Sequence, residues 1–216
     1  MSLRARHRVQ KRSIDLLGAL IGLILLGWLI LLCWLLASID TRRNGFFRQA
    51  RIGRGGRPFQ VAKIRSMREV AGIDTTVTAG NDVRITALGG FFRRSKLDEL
   101  PQLWNVLLGH MSFVGPRPDV PGYADCLQGD DARLLELRPG ITGIASVVFR
   151  DEEALLMQHA DPVKYNDSVL WPAKVQMNLR YMDTYRLGLD VRIVLATLSS
   201  RFAPKLRSLV ADLIPA

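Results

Sequence analysis

The chain has 216 residues, 48% of them hydrophobic, which suits one domain or one domain with an appendage and excludes global disorder. Lysine and arginine outnumber aspartate and glutamate by 30 to 20, so the surplus charge predicts an anionic partner: nucleic acid, anionic lipid or a nucleotide. Two cysteines, one of them inside an apolar run, and three scattered histidines exclude a disulfide scaffold and a zinc-type cluster.

An uncharged segment of 24 residues between Asp15 and Asp40 is long and apolar enough to lie in a membrane. As a helix it reaches about 36 Å, against about 30 Å of hydrocarbon core. Both flanks are basic, and the positive-inside rule places basic flanks on the cytoplasmic side. A re-entrant helix, which enters and leaves on the same face, satisfies both flanks, whereas a single span satisfies only one. The flanks alone leave both topologies open.

The next part of the chain predicts a β-hairpin. Phe46-Phe47 and Phe59–Ile64 are typical of short strands, and Gly53–Pro58 is typical of a turn between them. The basic residues among them favour a surface against lipid head groups, with nucleic acid as the weaker alternative. We predict a mobile loop over residues 69–83 and a short helix or strand over residues 85–94.

Two adjacent carboxylates, Asp98 and Glu99, come just before Pro101 and an apolar stripe with helical spacing. In one interpretation Ser95 or Asp98 caps a helix, because acids favour its positive end. In the other interpretation, the helix N-terminus keeps Asp98 ionised and its free N–H groups bind a phosphate, so that Asp98 acts as a nucleophile. The stripe predicts either a core face or a face in the bilayer interface, and its members are Leu100, Leu103, Trp104, Leu107, Leu108 and Met111.

The C-terminal third predicts mainly helices. The helical patterns cover residues 120–136, 151–157 and 175–185, and a strand-like run covers residues 144–149. Residues 191–213 mix apolar and basic side chains around Pro204. This mixture fits two short amphipathic helices on a membrane, with buried core helices as the competing interpretation.

Six short motifs follow one another between about Lys11 and Ile193. They are Lys11-Arg12 with Asp15; Phe46-Phe47-Arg48-Gln49 with Arg51-Ile52-Gly53; Lys63 with Arg65-Ser66-Met67; Leu97–Asn105; Val114–Pro118; and Arg138–Gly143. Each motif is weak alone, but in this order and spacing the chain resembles the monotopic phosphoglycosyl transferases, or bacterial sugar transferases, in their small form.

The resemblance implies a reaction: transfer of a phospho-sugar from a UDP-sugar to polyprenol (undecaprenyl) phosphate, with release of UMP and with Mg²⁺ as the cofactor. It implies that Asp98 attacks the β-phosphate, forms a covalent phospho-sugar enzyme and contacts the Mg²⁺, while Glu99 assists attack by the lipid phosphate. A sparse carboxylate site suffices for Mg²⁺, and an arginine between two prolines offers a pre-ordered fork to a pyrophosphate. The residues expected to bind substrate are Arg117, Lys63, Arg65, Arg94, Arg138 and Gln49.

The implied fold is α+β and mainly helical. A re-entrant membrane helix is expected over residues 1–40, and a compact cytosolic catalytic domain, with interfacial amphipathic helices and a small β-hairpin, over residues 41–216. Gly27-Trp28 stands where the family has a Ser-Pro kink, and we expect the helix to break near Gly27. The enzyme is then expected at the bacterial inner (cytoplasmic) membrane, in contact with phospholipids, where it initiates glycoconjugate or polysaccharide assembly.

The alternative is a non-enzymatic membrane-tethered adaptor, with a spanning helix and a basic cytosolic domain that binds anionic partners. It predicts no UMP release and no dependence on Mg²⁺. Nucleic acid is not predicted as a partner, because no module of that class is recognised. The motif Leu97–Asn105 and the loop that carries Arg117 favour the enzyme.

Overall fold

The computed structural model describes residues 5–70 and 82–215, so most of the loop predicted over residues 69–83 lies outside the described residues. The fold is mainly helical. The helices are α1 (Ala5–Thr41), α2 (Ala87–Ser95), α3 (Gln102–Leu108), α4 (Ile144–Val148), α5 (Glu152–Leu156), α6 (Pro162–Tyr165), α7 (Trp171–Asp183), α8 (Leu187–Leu198) and α9 (Ala203–Arg207). The strands are β1 (Phe46–Ile52), β2 (Pro58–Ile64), β3 (Ser112–Val114) and β4 (Gly140–Thr142). Short 3₁₀ turns cover Arg54–Gly56, Leu97–Glu99, Ala124–Cys126, Asp131–Glu136, Ser200–Phe202 and Ser208–Leu213, and a π turn covers Asn166–Leu170.

The described residues form two compact units. The anchor unit comprises the described residues 16–50, 60–70 and 82–108, and it contains most of α1, most of the hairpin, α2 and α3. The C-terminal unit comprises residues 5–15, 51–59 and 109–215.

Helix α1 has the length and hydropathy of a membrane helix over His7–Thr41. It continues through Gly27, and a Cβ built there has no atom of residues 5–70 or 82–215 within 4 Å. The prediction of a break near Gly27 is therefore wrong. The helix is continuous there, because neither a proline nor a packed neighbour forces a break. The re-entrant course of the helix stays a prediction.

One face of α1 is buried and the opposite face is exposed and apolar. The buried residues fall into two groups, and within each group they recur every three or four positions, as the helical period requires. The groups are Asp15 with Ala19, and Ile30 with Cys33, Ala37 and Thr41. Cys33 and Ala37 pack with Ile64 of β2 and Phe92 of α2 to form the core of the anchor unit. The exposed face carries large apolar side chains such as Trp28, which suits contact with lipid.

Strands β1 and β2 pair as the predicted hairpin. The turn closes where the Gly53 N–H donates to the Arg57 carbonyl at 2.9 Å. Gly55 and Gly56 have φ values of 71° and 72°, in the left-handed region that glycine adopts without strain. The predicted hairpin is therefore confirmed, and its two glycines allow the tight turn.

In the C-terminal unit, β3 and β4 pair in parallel, with Ser112 opposite Gly140 and Val114 opposite Thr142. A Cβ on Gly140 would lie 2.2 Å from the Gly115 nitrogen, so only glycine allows the backbones to approach this closely. The core of this unit joins α4, α7, α8 and α9; its fully buried side chains include Ile144, Met177, Ile193 and Leu206.

Two predictions in the C-terminal third are wrong. The strand-like run at residues 144–149 forms helix α4, because nearly all of its side chains are buried and tertiary packing overrides its β-branched composition. The helix predicted over residues 120–136 is reduced to two 3₁₀ turns. The helical patterns at residues 151–157 and 175–185 are confirmed by α5 and α7, and Pro204 lies in the first turn of α9, after the break from α8.

Candidate active site

The two carboxylates lie in a 3₁₀ turn, Leu97–Glu99, between α2 and α3. Lys96 ends α2 in the left-handed conformation, with a φ of 59°, and this residue turns the chain into the 3₁₀ segment. Both Asp98 and Glu99 are buried. The turn thus carries two adjacent acids into the interior of the anchor unit, an expensive arrangement unless charges compensate it.

The capping interpretation is wrong. Ser95 is the last residue of α2, and its hydroxyl donates to the Phe91 carbonyl at 2.8 Å. Asp98 precedes Gln102, the first residue of α3, by four positions, and among the described residues no side chain caps the turn in which Asp98 lies. Asp98 is therefore held by the turn and its surroundings, without a helix-capping bond.

One carboxylate oxygen of Asp98 is buried and accepts no hydrogen bond from the described residues. Among the described residues, its Oδ1 atom lacks a hydrogen-bond partner. Burial raises the pKa of Asp98 above its ordinary value and the Glu99 carboxylate raises it further, while Lys63, Lys96 and Arg93 lower it. An oxygen without donors keeps its lone pairs available, which suits a nucleophile or a ligand of a cation.

Lys63 supplies a cation to the second carboxylate. It lies on β2, is half-buried, and its Nζ atom is 3.9 Å from Glu99 Oε1. Lys63 also lowers the pKa of Asp98, so one ammonium group acts on both acids. The structure therefore brings together three of the predicted site residues, Asp98, Glu99 and Lys63.

The other predicted residues of the anchor unit have different surroundings. Arg65 donates from Nε to the Asn44 carbonyl at 2.8 Å, and its guanidinium carbon is 5.5 Å from the ring centroid of Phe47. These contacts tie Arg65 to the base of the hairpin. Arg94 is exposed on α2, and Gln49 is half-buried on β1.

Arg117 lies in the C-terminal unit on a loop whose backbone is fixed at several points. The Gly140 N–H donates to the Pro116 carbonyl at 2.8 Å, and the Ile52 N–H donates to the Asp119 carbonyl at 2.9 Å. Arg51 Nη1 donates to the Pro118 carbonyl at 3.3 Å. The loop is thus anchored on both sides of Arg117, whose side chain is exposed.

Asp119, at the end of this loop, is half-buried among charged groups from three other elements. Burial raises its pKa to about 7, although Lys174, Arg51 and Arg117 lower it. Glu152, which accepts a hydrogen bond from Lys174 at 2.5 Å, raises the pKa of Asp119 slightly further. This carboxyl group therefore changes its charge near neutral pH.

Arg138, the remaining predicted residue, also belongs to the C-terminal unit. Its Nε atom donates to the Gly109 carbonyl at 2.9 Å, which holds the chain before β3 to the chain before β4. Burial lowers the pKa of Arg138, and the nearby cations Arg54 and Arg12 lower it further.

Sequence reasoning missed four residues that the structure places at or beside these groups: Arg93, Lys96, Asn105 and Asp119. Arg93 and Lys96 act on Asp98 through their charge, whereas the sequence analysis named Arg94 as a substrate ligand. Neither has a periodic or motif signal, because a left-handed residue such as Lys96 is not marked when it is not glycine. In the sequence, Asn105 stands out only as the last residue of the motif Leu97–Asn105.

The apolar stripe on α3 is divided between two roles. Leu103 is buried, and a Cβ on Gly22 of α1 would lie 3.1 Å from its Cδ1 atom. Trp104 and Leu108 are exposed. The core interpretation therefore holds for Leu103, which packs against α1, whereas a bilayer interface at the exposed Trp104 and Leu108 stays a prediction.

Comparison with known proteins identifies a family for nearly the whole chain. The family described as bacterial sugar transferase matches residues 6–204. A protein of Caulobacter vibrioides, named UDP-glucose:undecaprenyl-phosphate glucose-1-phosphate transferase, is 34% identical over 196 residues, which cover 89% of this chain and 69% of that protein. A Rhizobium leguminosarum protein named for exopolysaccharide production is 35% identical over 203 residues, covering 89% and 94%. A galactosyl transferase of Streptococcus agalactiae is 33% identical over 207 residues, covering 89% and 42%.

Proposed function

Because this chain belongs to the bacterial sugar transferase family, we propose that it transfers a sugar 1-phosphate from a UDP-sugar to undecaprenyl phosphate and releases UMP. The observation that carries the proposal is the buried Asp98–Glu99 pair, with an unpartnered Asp98 oxygen and Lys63 beside it. A purely structural acid pair would have its oxygens satisfied, because burying an unpaired polar atom costs free energy.

In the first step, an Asp98 carboxylate oxygen attacks the β-phosphorus of the UDP-sugar. A bond forms between that oxygen and phosphorus, and the bond from the β-phosphorus to the bridging oxygen breaks, so that UMP leaves with the bonding electrons. Lys63, which opposes the pKa increase caused by burial, helps to keep Asp98 ionised for this attack. The product of the step is a covalent phospho-sugar enzyme.

In the second step, an oxygen of the lipid phosphate attacks the same phosphorus and the Asp98 carboxylate leaves. We assign to Glu99 the role of accepting a proton from the attacking phosphate or of orienting it. Lys63, whose Nζ is 3.9 Å from Glu99 Oε1, balances the negative charge that collects there. Two chemical steps at one carboxylate return the enzyme to its starting form.

The Asp98–Glu99 pair fits a magnesium ion whose other ligands come from the substrate. Among the described residues there is no group of three or more histidine, cysteine, aspartate or glutamate side chains that could hold a metal. Mg²⁺ commonly uses only one or two carboxylates together with phosphate oxygens, and the unpartnered Asp98 oxygen supplies one such ligand. When bound, the ion would neutralise charge on the diphosphate.

For the remaining predicted ligands, the contacts favour different roles. Arg117, exposed on a fixed loop, remains our proposed partner of the diphosphate, because a pre-ordered guanidinium binds phosphate with little entropic cost. Arg65 and Arg138 are engaged with backbone carbonyls, which favours structural roles for both.

We place the enzyme at the cytosolic face of the bacterial inner membrane, with α1 entering and leaving on that face. The basic residues on both flanks support this topology.

The topology is tested by labelling with a membrane-impermeant thiol reagent in intact cells. The variant is Val9→Cys, at an exposed position of α1, with Cys33 replaced by serine. The exposed native Cys126 is the internal control. We expect both thiols to stay unlabelled until the cells are permeabilised. Labelling of position 9 in intact cells, with Cys126 protected, would rule out the re-entrant course.

The activity is tested by UMP release from a panel of UDP-sugars in the presence of undecaprenyl phosphate. UDP-glucose and UDP-galactose come first, because the named activities of the relatives involve these two sugars. We expect one UDP-sugar to release UMP in a reaction that a chelator stops and Mg²⁺ restores. No UMP from any member of the panel would favour an adaptor without catalysis.

A further inference from the structure

The side chain of Asn105 on α3 hydrogen-bonds the backbone of β2 at two points. Its Nδ2 atom donates to the Gln60 carbonyl at 2.7 Å, and its Oδ1 atom accepts from the Ala62 N–H at 2.9 Å. In a strand, the carbonyl of one residue and the N–H of the second residue after it point to the same side, so a single amide can engage both. The Asn105 carboxamide therefore takes the place of one residue of a neighbouring parallel strand.

This contact fixes β2 where the strand carries its catalytically relevant side chain. Lys63 follows Ala62 directly, and its Nζ atom is 3.9 Å from Glu99 Oε1. Glu99 in turn lies just before α3, the helix that carries Asn105. A shift of β2 along α3 would break both hydrogen bonds and move Lys63 relative to the carboxylate.

Loss of the Asn105 carboxamide should also destabilise the contact between α3 and β2. Asn105 is buried, and both of its polar ends are satisfied by the backbone of β2. An apolar substitute would leave the Gln60 carbonyl and the Ala62 N–H without these partners. The strand could then slide or tilt, and this movement would change the position of Lys63. Asp98 would move less, because its own 3₁₀ turn holds it.

We propose that Asn105 is a positioning residue of the transfer reaction, because it holds β2 in the register that keeps Lys63 beside Glu99 and Asp98. This inference rests on the proposed function, since it assigns a part in that reaction to a residue outside the acid pair. Asn105 acts through Lys63 and does not contact the reacting phosphate.

A double-mutant cycle tests the inference, with UMP release as the assay. Asn105→Leu alone should lower kcat about 10-fold, with KM for the UDP-sugar nearly unchanged, because small displacements of a positioned group cost this much or more. If Asn105 acts through Lys63, the double variant with Lys63→Gln should be no more than about threefold slower than Lys63→Gln alone. Multiplied losses, about 100-fold in total if each variant costs about 10-fold, would overturn the inference.

Asn178 provides a matched control, because it is also a buried asparagine whose Nδ2 atom donates to a backbone carbonyl, that of Lys174 at 2.8 Å. It lies on α7 in the C-terminal unit, so the losses of Asn178→Leu and Lys63→Gln should multiply. If Asn105→Leu does not fold, as judged by thermal unfolding, Asn105→Asp goes through the same cycle, since it keeps the acceptor for the Ala62 N–H.

A second readout does not depend on activity. The rate at which an amine-reactive reagent modifies Lys63, followed by peptide mass spectrometry, should rise at least about threefold in Asn105→Leu, because the ammonium is released from Glu99. An unchanged rate would contradict the inference even in an active enzyme. Failure of the proposed function looks different, because then the unmodified protein releases no UMP while the labelling result still stands.

Discussion

Asp119 makes the stability of this protein depend on pH in an unusual direction. Its pKa in the folded chain is about 7, against 3.8 for an ordinary aspartate, because burial outweighs the attraction of Lys174, Arg51 and Arg117. The folded state therefore holds this proton more tightly than the unfolded state. The stabilisation is fully present below about pH 4 and is lost as the pH rises through about 7. Replacing Asp119 by asparagine removes the titrating group.

The size of the effect follows from the shift of about 3 pKa units, which corresponds to at most about 4 kcal/mol at about 1.4 kcal/mol per unit. Because Asp119 is only half-buried, solvent relaxation reduces this limit, and we expect about 2 kcal/mol. At pH 8, Asp119→Asn should then be more stable than the unmodified protein, with a melting temperature about 4–8 °C higher for a chain of this size. At pH 4 the two proteins should melt together.

The assay is thermal unfolding of both proteins in the same detergent between pH 4 and pH 8. Asp151→Asn serves as the control, because Asp151 is exposed and its replacement should leave the difference between pH 4 and pH 8 unchanged. The reasoning is refuted if Asp119→Asn is the less stable protein at pH 8. It is also refuted if the stability difference does not change with pH.

Two further substitutions test the geometry. Lys63→Gln should raise the pKa of Asp98, so the pH profile of UMP release should move to higher pH. At pH 7, kcat should fall about tenfold or more. A pH profile that does not move would show that Lys63 does not influence the charge of Asp98. Gly89→Ala should destabilise the protein by about 3 kcal/mol, because its Cβ would lie 1.9 Å from the Ser66 carbonyl oxygen. Gly27→Ala is the control, because the space around its Cβ is open, and it should not lower the melting temperature measurably. Equal effects of the two substitutions would show that the packing around Gly89 is misassigned.

Much of the local structure could be predicted because it depends on local signals. The apolar segment defines α1, the glycines at Gly55 and Gly56 define the hairpin turn, and Pro204 marks the start of α9. The run at residues 144–149 misled the prediction, because its β-branched side chains are typical of strands, whereas its burial against α7, α8 and α9 decides for a helix.

The site was predictable only as far as its motifs reach. Asp98 and Glu99 are adjacent in the sequence, and Lys63 belongs to a motif of its own. The bonds of Asn105 to Gln60 and Ala62 join residues 45 and 43 positions apart, and no periodic pattern encodes such a pairing. For the same reason, the charged surroundings of Asp119 become visible only in the folded chain.

The central claim is that Asp98 becomes covalently bonded to the phospho-sugar. The most direct measurement is the mass of the intact protein after incubation with Mg²⁺ and the UDP-sugar that supports UMP release, without the lipid acceptor. We predict a mass increase equal to one phospho-sugar, which maps to Asp98, disappears on addition of undecaprenyl phosphate, persists in Glu99→Gln and is absent in Asp98→Asn. An active enzyme that shows no adduct, or full transfer activity in Asp98→Asn, would contradict the account.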